Sequence, residues 1–227
     1  MRRFVTALCV FGLVAGFSGL AMGVPYKNPG HSYKMGDFSA GFIFESASRD
    51  LSSDRFDPIP LEAEITLLMG AFGIGLGPGG MLEVHVGTAK TGLKVGGDKQ
   101  PDSDGTIIGA SFRYNIQTIG SLSHGPFASV HSGSVDNDTS ETTFTQVDGG
   151  YGVGFALNDV ISFYGGGVLS VLSGTVDEYS QATDFDGKDE VSGFAGLEIH
   201  PAEQLLIGIE GHAIAETSFL VYLDGRF

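Results

Sequence analysis

The chain has no tryptophan, one cysteine, eight prolines and few cations: 12 lysines and arginines stand against 27 aspartates and glutamates. Each shortage excludes something. With a net charge of −15 and a pI near 4.5, it has no basic surface for a nucleic acid. With a single cysteine, Cys9, it holds no zinc-type cysteine cluster and no disulfide framework. After residue 23 no run approaches the roughly 20 apolar residues of a membrane-spanning helix. Helical periodicity is scarce throughout.

Its first 23 residues, MRRFVTALCVFGLVAGFSGLAMG, have a basic start, an apolar stretch and small residues at the end. That is the layout of a secretory signal peptide. Cleavage after Gly23 is expected, with cleavage after Ala21 as the alternative. An uncleaved anchor and a lipid attachment at Cys9 are the competing readings. Removal of Arg2 and Arg3 with the leader takes the net charge from −15 to −17. The remaining chain is exported and has no thiol. Residues 24–32 read as a short periplasmic segment, and 33–227 as the folded domain.

What the domain does contain is glycine, 36 residues in the whole chain, and strict two-residue alternation. Phe38, Ala40, Phe42 and Phe44 share one face of the first run; Ser39, Gly41, Ile43 and Glu45 share the other. Leu61, Ala63, Ile65, Leu67 and Met69 oppose Glu62, Glu64 and Thr66. Leu82, Val84 and Val86 oppose Glu83, His85 and Gly87. Ile108, Ala110, Phe112, Tyr114 and Ile116 oppose Ser111, Arg113 and Asn115. Val147, Tyr151, Val153, Phe155 and Leu157 oppose Asp148 and glycines. Leu205, Ile207 and Ile209 oppose Glu210 and His212.

About ten such runs occur. Dropping the weakest, PFASVHSGSV, with one neighbour leaves eight. After the first run the connections alternate between long ones rich in Asp, Ser and Thr and short ones (GLGPGG, LNDV, HPAEQ). AETS is short where a long one is due. The spacing predicts an all-β, up-and-down antiparallel barrel with short turns at one end and long loops at the other. GAFGIGLGPGG lacks the GK[ST] ending of a phosphate loop and reads as a turn.

Alternation alone also fits a soluble β-sandwich. Three features favour a barrel in lipid: aromatics at strand ends (Phe38, Tyr114, Phe155, Phe219, Phe227), opposite faces lined by charge and glycine, and an even strand count. Such a sheet must close, because an open edge in hydrocarbon leaves backbone groups unsatisfied.

The alternating strands, the leader, the absence of mature cysteine and the closing run SFLVYLDGRF together resemble the small outer-membrane β-barrels of Gram-negative bacteria, the OmpA/OmpX class. The resemblance spans residues 33–227. It implies a bacterial outer-membrane location, contact with outer-membrane lipid and lipopolysaccharide, and a last strand read by the barrel-assembly machinery through Phe219, Val221, Leu223 and Phe227. Gly225 departs from that pattern, where a larger residue is usual. A monomer without cofactors is expected.

The lumen is expected to be acidic. Glu45, Glu62, Glu64, Glu83, Glu210 and Asp224 lie on consecutive strands and form one wall. His85, Arg113, His212 and Arg226 are their candidate partners, and Glu198 joins the lower group. This set is either a satisfied internal network or a narrow passage favouring cations. In the loops, the pairs Asp102/Asp104, Asp136/Asp138 and Asp184/Asp186 are either calcium ligands or ordinary polar turns. Adhesion through the acidic loops is a second role. Catalysis is not expected: Glu210 and His212 form a His–carboxylate couple, but no serine stands beside them in sequence.

Overall fold

A computed structural model describes residues 25–29, 31, 33–52, 60–100, 102–138, 140–178, 181–187, 191–214 and 217–227. The expected signal peptide, 1–23, lies outside the described residues. The strands are β1 (Phe38–Ser52), β2 (Leu61–Gly77), β3 (Gly80–Val95), β4 (Asp98–Lys99), β5 (Ser103–Tyr114), β6 (Gln117–Ile119), β7 (Leu122–Asp136), β8 (Ser140–Ala156), β9 (Ile161–Glu178), β10 (Gln181–Gly187), β11 (Val191–Ala202), β12 (Leu205–Ile214) and β13 (Thr217–Arg226).

Ten of them close a ring in the order β1, β2, β3, β5, β7, β8, β9, β11, β12, β13 and back to β1, every pairing antiparallel. The weak run PFASVHSGSV lies within the 15-residue β7, so ten strands stand and not eight. Closure is secured where the chain ends meet. Phe38 N–H donates to the carbonyl of Phe227 at 3.2 Å, and Phe227 N–H donates to that of Phe38 at 2.9 Å. At the turn between β2 and β3, Gly77 and Gly79 take φ of +132° and +84°, which side-chain-bearing residues rarely adopt.

The outer surface carries a belt of exposed apolar side chains. Phe42, Phe72, Ile108 and Leu169 are 66%, 59%, 60% and 60% exposed. A protein in water rarely leaves so large a continuous patch uncovered; lipid is the solvent it fits. Belt height is legible strand by strand. On β1 the outward residues run Phe38, Ala40, Phe42, Phe44, then Ser46, Ser48, Asp50; on β8 they run Phe155, Val153, Tyr151, Gly149, Val147, then Thr145, Thr143, Glu141. Apolar positions therefore cover seven residues on β1 and nine on β8, near the 9–11 residues of a tilted membrane strand. Beyond them the strands continue with polar outward faces at the loop end. Strands β11 to β13 stop sooner. Above them β10 pairs with the upper parts of β9 and β1, joining Asp186 to Ser173 and Leu51 to Gly187. The exposed aromatics Phe38, Tyr114, Phe155 and Phe227 gather at the turn end.

This layering corrects one expectation. On β2, Leu61, Ile65, Leu67 and Met69 face the lumen, while Leu68, Phe72, Ile74 and Leu76 are exposed. Glu62 and Glu64 therefore point outward above the belt and not into the acidic wall. There Lys94 pairs with Glu64 at 2.6 Å and Glu62 at 3.3 Å, and Ser48 donates to Glu62. Both faces of β2 are apolar over part of their length, so alternation marks two faces without saying which is inside.

Candidate functional site

Inside the barrel the two halves differ in chemistry. The loop-end half is largely apolar: Ile43, Ala47, Leu51, Leu61, Ile65, Leu67, Met69, Ile107, Val135, Phe144, Leu172 and Phe185 belong to one cluster, and Arg49 is buried in the same half beside Gly187. The turn-end half holds most of the charges, together with a piece of chain that is not a strand. Pro25, Tyr26, Lys27, Asn28 and Pro29 are all buried, and so is Tyr33. The expected periplasmic segment thus lies within the lumen. The physical reason is the acid surplus there: the strands bring in more carboxylates than cations, and the segment supplies a lysine and backbone N–H groups.

Lys27 is the centre of the arrangement. Its Nζ lies 2.7 Å from Glu83 Oε1 and 2.6 Å from Asp224 Oδ2, with all three side chains almost fully buried. Arg113 Nη2 takes the other oxygen of Glu83 at 2.8 Å. Glu210 receives the N–H of Tyr26 at 2.9 Å and that of Lys27 at 3.1 Å. His212 Nε2 at 2.6 Å and the Tyr164 hydroxyl at 2.7 Å complete its shell. The Glu210–His212 couple is therefore committed to holding the segment. Tyr164 meets the Tyr222 hydroxyl at 3.0 Å, and Tyr222 donates to Glu198 Oε1 at 2.6 Å. The Tyr26 ring stacks between Phe127, with centroids 4.3 Å apart, and His212, at 4.9 Å, with Phe194 edge-on at 5.0 Å. Buried carboxylates need partners of this kind, since an unpaired charge in low dielectric is very costly.

Glycine makes the seat. The lumen face of β8 has Gly154 where Asn28 packs, and a Cβ there would collide with the Asn28 amide oxygen. Asn28 Nδ2 in turn donates to Ser162 Oγ at 3.1 Å. Gly154→Val is expected to unseat the segment and to cost about 1–3 kcal/mol, the usual penalty of overpacking. Guanidinium unfolding followed by heat-modifiable electrophoresis measures it; unchanged stability would show that the segment tolerates displacement.

The remaining expected lumen residues fall as follows. Glu45 is fully buried on β1. His85 Nδ1 bonds His131 Nε2 at 2.8 Å with stacked rings, so a histidine, His131, is its hydrogen-bond partner. Arg226 lies at the turn-end rim with its guanidinium 5.2 Å from the Tyr33 ring. Because Glu62 and Glu64 lie outside, no continuous acidic wall forms. Glu83 and Asp224 are instead bridged through Lys27. Lys27, Tyr26 and Arg49 are site residues that sequence reasoning missed; Arg49 donates from the β1 lumen face to Ser170 Oγ at 3.0 Å.

Among the loop acids, Asp102 is taken by Lys99 at 3.0 Å and Lys90 at 3.4 Å. Hydrogen bonding from Lys99 first, and then from Lys90, holds its carboxyl below the ordinary aspartate range. Asp104 and Asp136 are register partners on β5 and β7. Asp138 is exposed in the next loop. Thr175 donates to Asp184, and the carbonyl of Asp186 accepts from Ser52. On the last strand, Phe219, Val221, Leu223 and Phe227 share the outward face, alternating with Leu220, Tyr222 and Asp224 inside.

Fold and lumen together define a closed ten-strand β-barrel of membrane type with an internally plugged turn end. No protein family and no curated protein matches the chain. Among solved structures it is similar to the outer membrane protein OprG from Pseudomonas aeruginosa, at 11% identity over 88% of this chain and 99% of that one, TM-score 0.47. It is also similar to the attachment invasion locus protein Ail of Yersinia pestis, at 13% identity over 85% and 99%, TM-score 0.41. A third is the outer membrane protease OmpT from Escherichia coli, at 9% identity over 85% and 96%, TM-score 0.43. The likeness is one of fold, and no role passes from them to this chain.

Proposed function

We propose that this is an outer-membrane barrel of a Gram-negative bacterium, exported by a cleaved signal peptide, with its turn end in the periplasm and its loops outside. Its resting lumen is closed to ions, and its outer half is a cup for a small apolar molecule. The observation that carries this reading is the cavity at the loop end. It measures about 70 Å³ and is lined by Leu51, Leu61, Ile65, Phe144, Leu172 and Phe185. An apolar lumen is the opposite of what an ion passage requires, and dry apolar cavities take apolar ligands. The cavity is about half the roughly 150 Å³ that takes up benzene, so the size suits a two-carbon group. A cation-favouring passage becomes a property of the unplugged barrel alone.

Absence of tryptophan makes the test clean. With Phe144→Trp as the sole indole in nanodisc-embedded protein, bromoethane is expected to quench its fluorescence saturably. Addition of Leu172→Asp abolishes the saturation. Phe72→Trp, on the lipid face, reports partition into lipid and is quenched without saturation. If both reporters are quenched alike, the cup binds nothing.

A further inference from the structure

At the turn end, on the rim side of the network that holds Lys27, three metal-binding side chains meet. His31 comes from the inserted segment, and Glu198 and His200 come from β11. Their ligand atoms all lie within 4.8 Å of one another. His31 Nε2 is 2.8 Å from Glu198 Oε2, and His200 Nε2 is 4.0 Å from the same oxygen. A tetrahedral zinc ion with ligands at about 2.0–2.2 Å holds them about 3.3 Å apart. The two His–Glu198 distances bracket that spacing, and side-chain rotations that draw the two imidazoles together from within 4.8 Å assemble the site.

Its surroundings are those of a built ligand set. Glu198 is fully buried. Its Oε1 is occupied by the Tyr222 hydroxyl at 2.6 Å and by the Asn28 N–H at 3.3 Å. That pairing turns Oε2 towards the two histidines, with Ser162 Oγ at 3.4 Å as a further donor. Hydrogen bonds that fix a ligating carboxylate in this way raise metal affinity. The backbone N–H of His200 is anchored on the Val160 carbonyl at 2.7 Å, in the turn between β8 and β9. Burial grades outward across the set, from 0% exposure for the Glu198 side chain to 10% for His31 and 21% for His200. The fourth coordination position therefore faces the water at the turn end, and the ion has an entry path. Arg226 is the neighbouring cation that works against a metal.

We propose that His31, Glu198 and His200 bind a divalent transition metal of the zinc class, which staples the inserted segment to the barrel wall. Two imidazoles and one carboxylate with an open position suit zinc, whereas calcium and magnesium prefer all-oxygen sets. The mature chain has no thiol, so a metal is the available cross-link between the segment and the sheet.

The probe is zinc chloride, titrated into refolded protein without a histidine tag, in nanodiscs, against a chromogenic chelator. One equivalent is expected to bind. His31→Gln and His200→Gln each weaken binding at least tenfold, whereas His124→Gln, on the outward face of β7 and three strands along the ring from β11, leaves it unchanged. His200→Gln alters a part-exposed ring at the rim and is expected to keep heat-modifiable migration, which certifies the fold. As a second readout, zinc raises the unfolding temperature of the parent protein but not of His200→Gln. No stoichiometric binding at millimolar zinc, or equal affinity in the parent and both histidine variants, overturns the site.

Discussion

Lys27→Met is expected to lower the unfolding free energy by about 3–5 kcal/mol, the cost of removing one member of a buried ion cluster. Methionine preserves most of the lysine stem, so lost packing contributes little. What is lost is the ammonium group 2.7 Å from Glu83 and 2.6 Å from Asp224. Glu83 keeps Arg113 at 2.8 Å, so the larger share of the penalty falls on Asp224. The double variant Lys27→Met/Asp224→Asn is then more stable than Lys27→Met alone, because the orphaned charge is gone. Urea titration of the barrel in lipid vesicles, read by heat-modifiable electrophoresis, measures all three proteins. A single-variant loss below about 1 kcal/mol, the range of exposed ion pairs, would mean that water reaches Lys27 and that the plug is loose.

The closing strand shows how far sequence carries and where physics intervenes. Phe219, Val221, Leu223 and Phe227 are legible as one face because lipid and lumen alternate strictly along β13. Gly225 looked like a defect in that face. In the structure a Cβ at Gly225 would sit 3.3 Å from the Phe227 ring, so the glycine leaves room for the terminal aromatic to fold over it. The same alternation misled on β2. Inside the loop-end half the lumen is itself apolar, and outside the belt the surface is polar. Leu61 and Glu62 thus exchange the sides that a uniform barrel would give them. Period two reports that faces differ; height along the strand decides what each face meets.

The inserted segment was illegible for a different reason. YKNPGHSY has no periodicity, and its fit to the lumen rests on long-range contacts such as Lys27 with Asp224, 197 residues apart in the chain. An indirect signal did exist. The inward positions of the strands carry Glu45, Glu83, Asp148, Glu198, Glu210 and Asp224 against Arg49 and Arg113, and a buried carboxylate surplus demands donors from elsewhere. The glycine-rich face of β8 was a second signal. A face without side chains is a space for something, and here that is Asn28 and Pro29, which pack against Gly154 and Gly152.

Removing residues 25–33, together with Leu172→Ser and Phe185→Ser to open the apolar cluster of the loop-end half, is expected to convert a closed barrel into a cation-selective channel. With the segment in place, Lys27 and the ring of Tyr26 fill the turn-end lumen, and planar-bilayer recordings of the parent protein should show no steady conductance. Without it, Glu83, Asp224, Glu210 and Glu198 lose the Lys27 ammonium, the backbone N–H donors and the His31 contact that now satisfy them. Water must take those places, because carboxylates left dry would unfold the barrel. The wetted lumen then presents Glu45, Glu83, Asp148, Glu198, Glu210 and Asp224 against Arg49 and Arg113, a surplus of the sign that admits cations. Potassium permeability over chloride is expected to exceed unity clearly. It should fall towards unity when Glu210→Gln and Asp224→Asn are added to the deletion. Heat-modifiable migration identifies the preparations in which the barrel has folded. A folded deletion variant that stays silent would show that the ten-strand lumen collapses on its own side chains, and anion preference would show that Arg113 dominates the field.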